Sequence, residues 1–191
     1  MRKLHIYTLN PDSSYGGEFR VNNLAFYTNT DEKLEVTEIV HVNNNEATFK
    51  VNGVNGRINV PLAYGSYYYP SNIFSTEMSE NYSLMVRNNI GAAHEQKGFW
   101  VYFDEDVKFS YLTLAYHYTS PRDFVVQLDD KPVTEPVNAD RGTVFKINMP
   151  KSRFRCFVGK DGLHYFLRPD YNKADTTPSA DPNDVPNANV I

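Results

Sequence analysis

Apolar and polar residues alternate with a period of two along most of this chain. Leu4 and Ile6 oppose His5 and Tyr7, Phe19 and Val21 oppose Arg20 and Asn22, and Leu34 and Val36 oppose Glu35 and Thr37. Ala47, Phe49 and Val51 oppose Thr48 and Lys50, and Ile58, Val60 and Leu62 oppose Arg57 and Asn59. Side chains on a strand point alternately to its two faces, so each run predicts a strand with one face in a core and one in water. "FWVYF" (99–103) is apolar on both faces, which predicts a central strand or one at an interface. "FSYLTLAYHYT" turns Leu112, Leu114, Tyr116 and Tyr118 inward against Thr113, Ala115 and His117. With "FVVQL", "TVFKINM", "RFRCFV" and "LHYFLR" the set reaches roughly a dozen short strands, the pattern of an all-β sandwich or jelly roll.

Turn chemistry divides the strands. Asn52-Gly53 and Asn55-Gly56 favour positive φ and predict tight reversals. "DEDV" (104–107), "DDKP" (129–132) and "GKDG" (159–162) separate further pairs of strands. Residues 71–82 break the alternation: Phe74, Met78 and Tyr82 recur every fourth residue beside Ile73, after Ser71 or Asn72 as a cap. That stripe predicts one short amphipathic helix, which must dock on the sandwich to persist. Before it stands the tyrosine cluster Tyr64, Tyr67, Tyr68 and Tyr69.

After about residue 170 the periodicity stops, and "PDYNKADTTPSADPNDVPNANVI" is rich in Pro, Asp, Asn and Ala. This predicts a sandwich domain over 1–169 and an extended or disordered arm over 170–191. The arm ends in Val190 and Ile191, a small apolar anchor suited to a neighbouring subunit.

Composition narrows the function. The chain has 191 residues, 41% of them hydrophobic, which suits one folded domain with a sizeable core. A net charge of −4 gives no general attraction to nucleic acid or anionic membrane. No apolar run has the length of a signal peptide or a membrane span. The single cysteine, Cys156, cannot form an internal disulfide, and the chain is compatible with assembly in a reducing compartment. The sequon Asn81-Tyr82-Ser83 carries little weight without a secretion signal.

Catalytic chemistry finds no strong motif. His5, His41, His94, His117 and His164 stand at no metal-binding spacing, so neither a metal nor a cofactor is expected. Asp104-Glu105-Asp106 and Asp129-Asp130 read as solvated turns rather than calcium ligands. Cys156 shares a strand face with Phe154 and reads as a buried inert thiol. Lys151, Arg153, Arg155 and Lys160 interleave with Phe154 and Phe157, but alternation makes this an ordinary strand with a wet face rather than a single-strand binder. The tyrosines at 67–69 can cover the end of the sandwich, anchor a protein interface, or stack on sugar rings.

The stretches "LEVTEIVHVNNNEATFKVNG", "GRINVPLAYGSYYYPSNIFSTEMSEN" and "FWVYFDEDVKFSYLTL" resemble single jelly-roll penton and minor capsid proteins of icosahedral DNA viruses. In that pattern Gly65-Ser66-Tyr67 is a turn, Ile73 to Met78 a helix closing one end, and Tyr102-Phe103-Asp104 with Lys108-Phe109 a hairpin. The resemblance implies a structural virion protein, not an enzyme, that is assembled in the host cytoplasm. Its expected partners are further copies of itself and a larger major capsid protein, either as a pentamer at a five-fold vertex or as a minor subunit between larger capsomers. Tyr67, Tyr68, Tyr69, Trp100, Tyr102 and Phe103 are the expected contributors to burial within or between subunits, with Val190 and Ile191 on the arm. The competing reading is a carbohydrate-binding β-sandwich using Tyr67, Tyr68 and Tyr69; a hydrolase on a β-sandwich ranks below both.

Overall fold

The computed structural model describes residues 3–9, 18–65, 67–87, 92–117, 121–132 and 136–149, with strands at 156–158, 164–166 and 189–190. The chain forms two compact units, residues 1–150 and 151–191. The boundary expected at 169/170 falls inside the second unit.

The first unit is an all-β sandwich. Its strands are β1 (Lys3–Thr8), β2 (Phe19–Tyr27), β3 (Val36–Asn43), β4 (Glu46–Val51), β5 (Val54–Asn59), β6 (Leu84–Val86), β7 (Phe99–Phe103), β8 (Tyr111–Tyr116), β9 (Arg122–Leu128), β10 (Lys131–Pro132), β11 (Val137–Ala139) and β12 (Thr143–Asn148). One sheet has the order β10-β9-β1-β7-β5-β4-β3, with β11 also on β9, and the other runs β12-β8-β2-β6. All pairings are antiparallel. β7 lies between β1 and β5, the central place its two apolar faces predict.

The inner faces meet in one core. Leu4, Ile6, Ile58, Val101 and Val126 from the larger sheet are fully buried with Phe19, Val21, Leu112, Leu114 and Tyr116 from the smaller. Phe124 packs edge-on to Phe19 at 5.5 Å and to Tyr116 at 5.5 Å, and tilts against Phe145 at 4.9 Å. Phe26 and Phe103 repeat the edge-on contact at 5.9 Å. Each such side chain contributes about 1.5–3 kcal/mol by leaving water.

Short-range chemistry sets the hairpins. Asn52 (φ 46°) and Gly53 (φ 82°) turn β4 into β5. Asp129 (φ 47°) and Asp130 (φ 68°) turn β9 into β10, and Lys3 is held there by a 2.7 Å ion pair to Asp130. Asn55-Gly56, expected as a reversal, instead lies within β5, where Gly56 faces Phe49 across the ladder. A Cβ on Gly56 would sit 2.5 Å from Phe49 Cζ, so glycine serves ring packing here and not a turn.

Two further expectations are corrected. The predicted helix over 71–82 is not formed: Pro70–Phe74 and Glu80–Tyr82 are separate 3-10 turns. Met78 and Tyr82, meant for its buried stripe, are 51% and 52% exposed. The backbone between the turns is tied to β2 instead. Asn23 N donates to Ser75 O at 2.9 Å, and buried Asn22 Nδ2 donates to Glu77 O at 2.6 Å and Tyr82 O at 3.1 Å. These long-range bonds outweigh a helix too short to stand on its own propensity. Ile73 is still fully buried and Phe74 rests on Phe49 at 4.7 Å, so the first turn plugs the sandwich as the helix was expected to. The segment Tyr102 to Phe109 is not a hairpin: β7 and β8 belong to different sheets, and the chain crosses between them with Val107 buried on the way.

In the second unit β13 (Cys156–Val158) pairs with β14 (His164–Phe166), which pairs with β15 (Asn189–Val190), both antiparallel. Val190 thus lies opposite Tyr165. Ile191, Tyr118, the "GKDG" turn and the basic residues Lys151, Arg153, Arg155 and Lys160 lie outside the described residues.

Gly56→Ala should cost about 1–3 kcal/mol in urea denaturation, the usual penalty of overpacking. In a Phe49→Leu background the same substitution should cost far less, because the ring it meets is gone. Equal costs in both backgrounds would show that the ring contact is not what requires glycine.

Candidate functional site

The chain between β5 and β6 wraps the side of the sandwich where both sheets end, at β3 and at β6. Ala63 bridges Val86, and Arg87 N donates to Leu62 O at 2.9 Å, which seals the β6 edge. Beyond this the tyrosine run turns outward. Tyr67, Tyr68, Tyr69, Asn72, Asn81 and Tyr82 line an open cleft of about 510 Å³. The three tyrosines singled out in the sequence are therefore together, and Asn72, Asn81 and Tyr82 join them from the segment mistaken for a helix.

Three rings, Tyr68, Tyr69 and Tyr64, have a named support. Arg20 lies over Tyr68 at 4.7 Å and is paired with Glu80 at 3.1 Å, which also meets Arg141 at 3.6 Å. Tyr69 rests on His41 of β3 at 4.2 Å. Tyr64 sits edge-on to Tyr68 at 5.8 Å under Arg87, whose guanidinium is 4.8 Å from the ring. Arg87 in turn faces Glu18 at 3.7 Å; burial raises the Glu18 carboxyl pKa, and Arg87 and Arg20 oppose that rise.

Tyr67 differs from its neighbours. Its φ is 74°, a left-handed conformation costing a bulky L-residue about 1–3 kcal/mol. The residue is 79% exposed, so burial within the chain does not offset that cost. Asn72 Nδ2 donates to the Tyr67 carbonyl at 2.8 Å and so helps to hold the conformation.

The same side carries β3. Ile39, Val40 and Val42 are 42%, 53% and 49% exposed. Among the described residues no strand pairs with the outer edge of β3. Its register on β4 shifts between Thr37 and Val40, with Glu38 at φ 50° and bonded to Lys50 at 2.8 Å. Two adjacent apolar residues, Ile39 and Val40, are the sequence trace of this bulge, because strict alternation would separate them.

The remaining expected contacts lie elsewhere. Trp100 and Tyr102 are on the outer face of β7 and Phe103 is on the inner face, in the core. Trp100 is buried beneath residues 92–98: its Nε1 donates to Glu95 O at 3.1 Å, and it stacks on His5 at 3.6 Å. The roof is close, because a Cβ on Gly98 (φ 64°) would strike the Ile6 carbonyl. Neither the sequence nor its alternation signals that His5 is covered; the cover comes from a loop ninety residues away. His5 Nε2 bonds Lys97 O at 2.6 Å, and because a carbonyl only accepts, this nitrogen is the donor. Burial is the main cause that lowers the His5 pKa from 6.5 to about 4, against the opposing pull of the Lys97 carbonyl. His117, bonded to Asn22 Oδ1 at 2.7 Å, is also lowered, chiefly by burial.

No group of three or more His, Cys, Asp or Glu side chains placed to hold a metal occurs among the described residues. Asp104 receives a hydrogen bond from Asn55 Nδ2 at 3.3 Å, and Lys3 N donates to Asp129 Oδ1 at 3.1 Å.

The His5 shift has a definite sign in pH. The unfolded chain takes up a proton near pH 6.5, while the folded chain resists until about 4. Stability is therefore complete above 6.5 and falls as pH drops through this window. His5→Phe keeps a ring against Trp100 and should flatten the fall in urea midpoint between pH 7 and 4.5; an unchanged slope would remove His5 as a source. Compared with family models, curated proteins and solved structures, the chain gives no match, so what this site does rests on its geometry.

Proposed function

We propose that this chain is a structural subunit that acts by assembling with copies of itself, in the virion setting implied by the capsid resemblance. The supporting observation is β3, an edge strand paired with β4 on one side and with no described strand on the other, with Ile39, Val40 and Val42 exposed. An open edge with apolar side chains is a template for association, which single chains blunt with charge, proline, bulges or cover. The bulge at Glu38 blunts part of the β3 edge and still leaves Ile39, Val40 and Val42 exposed.

A closed ring of identical subunits needs two different surfaces on each copy, and the β3 side supplies one of them. Its partner surface gains main-chain hydrogen bonds from the strand edge and apolar burial from the three side chains. The five-fold position and the larger capsid partner rest on the resemblance alone. The interlocked aromatic core suits such a role, since a stiff subunit loses little entropy on docking.

Light scattering across a concentration series tests the proposal. The native chain should form one closed oligomer. Ile39→Lys combined with Val42→Lys should weaken association at least about 100-fold, equivalent to about 2.8 kcal/mol, with an unchanged circular dichroism spectrum. A monomer at every concentration, or an oligomer indifferent to both lysines, would overturn it.

A further inference from the structure

The tyrosine cleft has a chemistry distinct from that of β3, and we infer that it is a binding site for a neutral oligosaccharide. All six lining residues, Tyr67, Tyr68, Tyr69, Asn72, Asn81 and Tyr82, are uncharged. They offer two kinds of group in one concavity. Phenol rings present flat π faces that receive the C–H face of a pyranose, and hydroxyl and carboxamide groups both donate to and accept from sugar hydroxyls. At about 510 Å³ the cleft lies within the usual range of small-ligand sites, and it is open along one side, so it suits a stretch of glycan chain better than an enclosed monosaccharide.

The cleft is also arranged in advance. Tyr68 is held by Arg20 and Tyr69 by His41, so two rings lose little freedom when a ligand arrives. Tyr67 is the most informative residue. Its positive φ and 79% exposure mean that the fold holds a disfavoured backbone in order to present a ring that buries little against its own chain. Strain at an exposed aromatic, locked by the Asn72 amide, has the form of a ligand platform. The cations nearby are not in the lining: Arg20 is turned to the Tyr68 ring and Glu80, and Arg87 to Tyr64 and Glu18. This arrangement disfavours phosphate, sulfate or sialic acid as the principal ligand and favours neutral sugars.

The test is an array of immobilised oligosaccharides, with neutral gluco-, galacto- and manno-configured chains beside sialylated and sulfated ones. Calorimetry on the strongest neutral hit follows. The full chain should retain neutral chains in preference to charged ones. Tyr67→Gly and Tyr82→Ala should each weaken that binding at least about tenfold. Tyr67→Gly removes the side chain from the disfavoured φ, so it should melt at a higher temperature than the native chain while binding less, a pairing that loss of folding cannot produce. Retention of no neutral glycan, retention of charged glycans alone, or native affinity in Tyr67→Gly would overturn the inference. Because Tyr69 of the cleft rests on His41 of β3, the array is run on the Ile39→Lys, Val42→Lys chain as well as the native one; retention of neutral glycans by the unassociated chain supports the inference apart from the assembly proposal.

Discussion

Two sheets with apolar inner faces must cover one another, and the interlocking of their aromatic rings around Phe124 is the contact on which the rest of the first unit depends. Phe19, Tyr116 and Phe145 reach it from the smaller sheet. Close packing of this kind transmits small changes of volume, so it fixes the spacing of the sheets and hence where their edges lie. The plugging turn at Pro70–Phe74, the tyrosine cleft and the β3 edge all take their positions from that spacing. The second unit builds its own small sheet from β13, β14 and β15.

The inner faces were legible because a period of two is a direct image of strand geometry. Leu4, Ile6, Phe49, Val51, Leu112 and Leu114 are buried as the alternation requires. The outer faces were not legible. His5, Asn22, Ala115 and His117 occupy polar-face positions and are buried all the same, since segments far off in sequence lie over them. The 75–83 strap covers Asn22, and residues 92–98 cover His5. The missed helix has the same origin: a period of four in Phe74, Met78 and Tyr82 is real, but carbonyls in that segment bond to Asn22 and to the backbone of β2. Local propensity gave way to buried polar groups that needed partners.

The candidate site was half legible. Tyr67, Tyr68 and Tyr69 stand out in the sequence and converge in space, but Asn72 and Asn81 acquire meaning only from the turns that carry them. Trp100 and Phe103, adjacent in the sequence argument, lie on opposite faces of β7, one under a loop and one in the core. Neither contributes to the open side of the sandwich. That side brings together a strained exposed tyrosine, a cleft of neutral rings and amides, and an apolar strand edge, with the His41–Tyr69 contact joining cleft to strand. In the proposed reading these features form one contact face.

Hydrogen–deuterium exchange along β3, followed from dilute to concentrated protein, tests the central claim of assembly through that strand most directly. Amides on the outer edge of Val36–Asn43 should exchange freely in dilute protein and become protected as the oligomer fills, while core amides in β1 and β7 stay protected throughout. Oligomers that form with β3 still exchanging freely would contradict the account.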